Sequence, residues 1–417
     1  MKILFLNTFK NEGGATQACN RIYHALQTYT DFTLNIINQF DEANLYTNWR
    51  NWPGLLRLLI EKIQLFYILK NKNSKFEFDS ASVGKSFRKN HQIEEADIIH
   101  MHWISQGLVS LEGLSELAAK GKPIVHTLHD MWAFTGGCFY AGECDHYMKS
   151  CGNCPFLKGD NADDVSHKIW LKKESIYKHS NIKWVCPSKW LYNAAKESSL
   201  GQNNEIFYIP YPVDTDKYKP IERQNILKGY NLDPDKFYIL FGAHNISDKR
   251  KGLDYIIEAL EDLKSNNNEM IQNSELVLFG KCNDTSILNR LPIPFHYKGF
   301  IKDSNELIKL YNAADIFAMP SVDDNLPNMI LESLACGTPV VSFDMGGIPD
   351  MISHDENGFL ADYRNPSSFA TGLDYFFQNR GQMKIFSVKA RQKAETEFSV
   401  KKVAKQYADL YNKIIDK

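Results

Sequence analysis

Between Pro320 and Ile352 the chain reads PSVDDNLPNMILESLACGTPVVSFDMGGIPDMI. Two carboxylates, Asp324 and Glu332, stand on either side of what reads as the start of a helix. Pro327 falls at its first turn, where a missing N–H costs nothing. The free amides of such a turn, with the positive end of the helix dipole, suit a phosphate. Glu332 sits among Met329, Ile330, Leu331, Leu334 and Ala335, which cover most of the helix circumference. A carboxylate in those surroundings needs hydrogen-bond donors, and sugar hydroxyls are good ones. The bland alternative makes Glu332 a structural bridge and Asp324 a plain loop acid. The next apolar run, PVVSFD, leads into Gly346-Gly347-Ile348-Pro349-Asp350. A double glycine at a strand-to-helix turn lets backbone approach a ligand closely, or is simply a tight turn.

Three further groups of residues could do chemistry. Gly13-Gly14-Ala15 follows the first apolar run, KILFLNT, and a glycine-rich turn before a helix can approach a diphosphate. His129 ends the run PIVHTLH, with His126, His100 and His102 as nearby alternatives; structural duty is the competing reading for each. Cys138, Cys144, Cys151 and Cys154 crowd into GGCFYAGECDHYMKSCGNCP with spacing C-x5-C-x6-C-x2-C. The last pair is a good half-site for tetrahedral zinc, and the first pair could close it into a structural site without an open position. Reduced thiols or disulfides are the alternatives. A fourth stretch, Asn48 to Lys75, combines Trp49 and Trp52 with many aliphatics and with Arg50, Arg57, Lys62, Lys70, Lys72 and Lys75. Such a basic amphipathic helix can lie in a membrane interface, or pack on its own domain.

These residues need elements to position them, and the pattern supplies α/β units. Short β-rich runs (KILFLNT, LNIIN, ADIIHMHWI, PIVHTLH, KWVCPS, IFYIPY) alternate with amphipathic stretches, and the pattern restarts with FYILFGA, ELVLFGK, FHYKGF, IFAMPS and PVVSFD. Consecutive apolar positions predict parallel strands covered on both faces. The expected organisation is a first Rossmann-like domain over 1–215, with the cysteine-rich insert at about 136–156. A second follows over 216–396, and a C-terminal helix over 397–417 returns to the first. Ligands of such sheets sit beyond the carboxyl ends of the strands, so two facing sheets would hold one in the cleft between them.

At 417 residues, with 43% hydrophobic and 24% charged residues, the composition is that of an ordinary globular protein. The net charge of −2 argues against a general nucleic-acid binder. The N-terminal apolar run is too short for a signal peptide, and no run of eighteen apolar residues occurs, so a cytoplasmic location is expected. In a reducing compartment the clustered cysteines favour thiols or metal over disulfides.

The span Asp324–Asp350 resembles the signature of family 4 retaining glycosyltransferases, which have the GT-B fold. That signature has two acids separated by seven residues, then Cys-Gly-Thr-Pro-Val-Val (here Cys336–Val341) and a Gly-Gly-x-Pro turn (Gly346–Pro349). The likeness resumes in NAADIFAMPS, YPVDTDKY, KGLDYIIEAL and the GGA loop, and so covers nearly the whole chain. It implies that Glu332 holds the ribose hydroxyls of a nucleotide-sugar donor and that Asp324, where the family usually has Glu, lies near the donor sugar. Backbone amides around Asn325, Leu326, Pro327 and Asn328 would face sugar and phosphates, Pro327 itself contributing none. Lys251 matches the lysine that neutralises the diphosphate, and Arg250 stands in for an arginine that the family often places where this chain has Gly242-Ala243-His244. His129 resembles the histidine that contacts the donor sugar. A similar cysteine-rich insert occurs in some bacterial polysaccharide glycosyltransferases.

The resemblance thus implies transfer of a sugar from a UDP or GDP sugar to a saccharide or lipid-linked saccharide, in capsule or exopolysaccharide synthesis. Catalysis would need no metal, since no DxD-type acid pair follows a strand and Asp323-Asp324 lacks the intervening residue. The protein would then be cytoplasmic, with peripheral contact at the inner face of the plasma membrane. The competing readings are a non-catalytic nucleotide-sugar binding protein and a GT-B nucleotide-sugar epimerase.

Overall fold

The computed structural model describes residues 1–40, 51–71, 77–266 and 268–416. Its contacts divide the chain into two compact units: Met1–Tyr211 with Val403–Lys417, and Pro212–Lys402.

The first unit is built on six parallel strands: β1 (Lys2–Phe9), β2 (Thr33–Phe40), β3 (Ile98–Met101), β4 (Ile124–Thr127), β5 (Ile182–Cys186) and β6 (Ile206–Tyr208). They lie in the order β2-β1-β3-β4-β5-β6. The second has β7 (Phe237–Asn245), β8 (Ser274–Lys281), β9 (Phe295–Tyr297), β10 (Ile316–Met319), β11 (Val340–Phe343) and β12 (Gly358–Ala361). Their order is β12-β11-β10-β7-β8-β9, again all parallel. Strands β3, β4, β10 and β11 are buried along their whole length, which is why apolar residues stand at consecutive positions in each. The run GFLA of β12 is too short and too glycine-led to stand out.

In each sheet the chain first winds outward from its opening strand and then returns to build the other side. The crossover point lies between β1 and β3 in the first unit and between β7 and β10 in the second. Sheets of this kind bind ligands where the winding reverses, beyond the strand ends.

The chain ends in two successive helices, the second of which falls within the 397–417 stretch. Met383–Glu397 ends at Phe398, and Val400–Ile415 follows. The second returns to the first unit through two buried tyrosines. Tyr407 Oη lies 2.9 Å from Thr127 Oγ1, and Tyr411 Oη lies 2.7 Å from His100 Nδ1. Among the described residues no helix is long and apolar enough to cross a membrane.

Helix α1 (Gly14–Tyr29) follows β1, and helix α2 (Trp52–Ile68) follows β2. The latter covers part of the stretch expected to form a basic amphipathic helix; Trp49, Arg50, Lys72 and Lys75 lie outside the described residues. Its inner face includes Gly54, Leu65 and a buried acid, Glu61. Glu61 Oε1 accepts from Ala81 N at 3.1 Å, and Asp79 accepts from Ala81 N and Gln106 N at 2.6 and 2.7 Å. Burial, and then the charge of Asp79, push the Glu61 carboxyl far above the usual range, so it is neutral at physiological pH.

Because that pKa is raised on folding, the stabilisation from Glu61 is complete below its unfolded value and fades as pH rises toward the folded one. Glu61→Gln keeps an acceptor for Ala81 and a donor for Asp79 without a titrating proton. Urea unfolding at pH 8 is expected to show this variant more stable than wild type by roughly 1 to 3 kcal/mol, with the gap closing at acid pH.

Candidate functional site

At the crossover point of the second sheet three loops meet through their backbones. Lys249–Lys251 forms a single helical turn after β7, closed by Gly252 at φ 83°. A side chain at Gly252 would place its Cβ 2.1 Å from Pro320 O, so only glycine lets this turn press against the end of β10. Val322 N donates to Arg250 O at 2.9 Å, tying the same two loops together. From the third side comes Gly346, at φ 53°, where a Cβ would stand 2.1 Å from Asp324 O. Gly346, the first of the double glycine, therefore serves close packing against the loop that carries Asp324.

Into this junction point the charged side chains. Lys251 Nζ donates to Asp324 Oδ2 at 2.6 Å, both side chains largely shielded from solvent. The shorter acid thus reaches the lysine. Arg250 lies beside them with its guanidinium on Asp248, at 2.8 Å for the closest pair. Asp323, which the sequence pattern did not single out, is pushed up to about 6 by burial, with Arg250 pulling the other way. Tyr363 Oη donates to Val322 O at 3.0 Å, closing the loop from the far side. Ser321 Oγ is buried at the end of β10 with no hydrogen-bond partner among the described residues.

The helix Asn328–Ala335 starts directly beyond. Pro327 is its N-cap, in extended conformation, and no side chain caps the end. Asn325, Leu326 and Asn328 are buried around it. Glu332 is only 1% exposed and accepts from Tyr311 Oη at 3.0 Å. Burial, followed by the charge of Glu332, holds the Tyr311 phenol well above its ordinary pKa, so it remains a donor. Tyr311 was missed because in NELIKLYNAA it reads as one more inward apolar position. Its partner Glu332, also inward and acidic, was the available signal.

In the first unit Gly13 is the N-cap of α1, at φ 90°, with no side-chain cap, and open space where a Cβ would be. Gly14 is the first residue of that helix. Just beyond the end of β4, in the same unit, His129 sits in a chain of rings. Its Nε2 lies 3.1 Å from His102 Nδ1 and its Nδ1 2.6 Å from Tyr211 Oη. His126 Nε2 contacts His102 O at 3.1 Å. His102 Nε2 and His126 Nδ1 are buried without partners among the described residues. The three rings and Asp130 line one small cavity. Burial, and then His126, pull His129 down to about 3, and burial takes His126 to about 4, so both are neutral at pH 7.

The four cysteines line a second cavity, together with His146. Cys151 Sγ accepts from Gly136 N at 3.1 Å. Among the described residues, however, no group of three or more His, Cys, Asp or Glu side chains is arranged to hold a metal ion.

Residues 222–393, wholly within the second unit, match the family model described as Glycosyl transferases group 1. An uncharacterised glycosyltransferase of Methanocaldococcus jannaschii is 28% identical over 46% of this chain and 48% of its own length. The D-inositol 3-phosphate glycosyltransferase of Paenarthrobacter aurescens is 25% identical over 68% of this chain and 64% of its own. The match thus spans about half of the first relative and under two thirds of the second. Among solved structures, HepE of Anabaena in complex with UDP shares 15% identity with a TM-score of 0.65, covering 99% of this chain and 100% of that one. At that identity the likeness shows the fold, which is GT-B: two Rossmann-like α/β units.

The histidine rings give a pH dependence. Their folded pKa values lie below the ordinary 6.5, so their contribution to stability is complete above that pH and is lost as pH falls through the folded values. Asp130, raised to about 7, works in the opposite sense and loses its contribution as pH rises. Stability to denaturant is expected to fall from pH 6.5 toward 4. His126→Leu should flatten that slope by up to about 1.4 kcal/mol per pH unit.

Proposed function

We propose that this chain is a retaining glycosyltransferase that moves a sugar from a UDP or GDP sugar onto a saccharide or lipid-linked saccharide. The product would be a bacterial surface polysaccharide such as a capsule or exopolysaccharide. The observation that carries the reading is the Lys251–Asp324 pair at 2.6 Å, held where three loops meet in front of an uncapped helix end. Such a junction offers fixed positive charge and backbone amides to a diphosphate, which would compete with Asp324 for the ammonium. HepE, one of the structural neighbours, has also been crystallised with UDP-glucose.

In the proposed step the bond from the anomeric carbon to the diphosphate oxygen breaks, and its electron pair stays on the phosphate. Lys251, Arg250 and the amides near Asn325 to Asn328 stabilise that charge without a metal in the role. The acceptor hydroxyl attacks from the face that the phosphate leaves, passing its proton to the phosphate, and so the anomeric configuration is kept. Glu332, already paired with one hydroxyl donor in Tyr311, takes the ribose hydroxyls. His129 is assigned to the donor sugar. A structural zinc at Cys138, Cys144, Cys151 and Cys154 is a separate proposal. Stoichiometric zinc in the purified chain supports it, and its absence overturns it.

A thermal-shift screen against UDP, GDP, CDP and ADP sugars should pick out one donor class by a raised Tm. With that donor, Lys251→Ala is expected to lower kcat by roughly 100- to 1,000-fold. Glu332→Gln should act mainly on the donor KM. A wild-type protein that binds donor yet neither transfers nor hydrolyses it would leave only the nucleotide-sugar binding reading.

A further inference from the structure

A band of flat rings crosses the carboxyl end of the first sheet. Phe9 ends β1, and its ring stacks on Phe40 of β2 at 5.3 Å between centroids and on Trp103, just beyond β3, at 5.7 Å. Trp103 in turn meets Phe139 at 6.0 Å. The next residue, Tyr140, stacks on Trp190 at 6.2 Å, and Trp190 stands in the first turn of the helix Lys189–Glu197 that follows β5. Phe40 and Phe139 are buried, but Phe9, Trp103, Tyr140 and Trp190 each keep part of their surface in solvent. From β1 through β3 and β4 to β5 is three strand spacings, so the half-exposed rings span about 14 Å.

The rings are fixed from beneath by two fully buried polar residues of β1. Asn7 Nδ2 donates to Phe9 O at 2.6 Å, and its Oδ1 accepts from Trp103 N at 3.2 Å. Thr8 Oγ1 donates to Trp103 O at 2.9 Å, and Thr8 N to the same oxygen at 2.8 Å. Phe9 and Trp103 are thus set side by side by the chain itself, and a ligand has little left to order.

Polar groups stand among the rings. Trp103 Nε1 donates to Asp130 Oδ2 at 3.2 Å, and Asp130 Oδ1 accepts from Trp132 N at 2.8 Å, which leaves the carboxyl group capacity for a hydroxyl. His129 is the preceding residue. Burial, and then the charge of Tyr140, hold the phenol of its partner Tyr211 well above the ordinary pKa, so the second pair of rings lies near His129 as well. A pyranose matches this arrangement. Its face of C–H groups rests on the negative face of an aromatic ring, and its hydroxyls, standing at the rim, need hydrogen-bond partners. An alkyl chain would offer nothing to Asp130. A single sugar ring is no wider than the phenyl ring it covers, so a band of this length suits a chain of sugars.

We propose that this band is the binding face for the acceptor saccharide, and that it selects an oligosaccharide over a monosaccharide. The proposal rests on the transferase reading, which is what calls for an acceptor. His129, assigned to the donor sugar, lies among the rings, so the end of a chain laid along them comes up beside that sugar.

The test is binding of the full chain, without donor, to an array of mono- to hexasaccharides, followed by titration of the strongest binder in solution. Oligosaccharides are expected to bind at least about tenfold tighter than any monosaccharide. Phe9→Leu and Trp190→Leu keep apolar bulk but lose the flat ring, and each should weaken the strongest binder roughly tenfold. Trp190→Phe should keep most of the affinity. Should Phe9→Leu lower the Tm, the two Trp190 variants decide by themselves, since Trp190 is half-exposed at the start of its helix. An array on which no glycan binds, monosaccharides bound as tightly as longer chains, or Leu variants of unchanged affinity overturns the proposal. So does binding of UDP alone that both Leu variants abolish, which would give the rings to the nucleobase. Donor hydrolysis by the wild type separates the two readings. Hydrolysis without glycan binding removes this face and leaves the transferase, whereas glycan binding to the rings without any donor turnover overturns the transferase reading while the saccharide face stands.

Discussion

Close approach of backbone to backbone at the crossover point of the second sheet is the constraint from which the candidate site follows. Gly252 lets the Lys249–Lys251 turn touch Pro320, and Gly346 lets the next loop touch Asp324. A Cβ at either position would stand 2.1 Å from a carbonyl oxygen, far inside van der Waals contact. With those loops pressed together, Lys251 has one place to go, and Asp324 meets it there. The Lys251 ammonium is thus held in place by the chain's own loops.

A second theme is burial of polar groups that are satisfied by one another. Glu332 is paired with Tyr311, and His129 with His102 and Tyr211. Lys173, fully buried, donates to Trp132 O and Thr135 O and lies 3.6 Å from the Trp132 ring centroid. Burial lowers its pKa to about 7. Such groups are costly unless every partner is in place, and so they hold the ends of the strands in one arrangement. The atoms left over at these strand ends, Ser321 Oγ, His102 Nε2 and His126 Nδ1, lie next to the residues expected to meet a donor.

Helix α2 shows the same economy turned inside out. Its acid is buried and neutral, and its aliphatic and aromatic side chains are presented to solvent. Glu61 fixes which face looks inward, since rotating the helix would expose Leu65 and pull the carboxyl from Ala81. The inward face thus combines that buried hydrogen bond with the packing of Gly54 and Leu65.

Much of the architecture was legible from local pattern. Strands buried on both faces announce themselves as apolar runs, and the alternation with amphipathic stretches leaves few topologies besides doubly wound parallel sheets. Asp324, Glu332, Lys251 and the paired glycines could be singled out because a motif records spacing along the chain. What no spacing records is which side chain comes to meet them across the fold. Tyr311, twenty-one residues before Glu332, and Tyr211, eighty-two after His129, read as core positions until the sheet brings them together. Composition and periodicity determined that α2 would be amphipathic. Only the tertiary structure, by burying Glu61, decided that its most apolar face would be the one left in water.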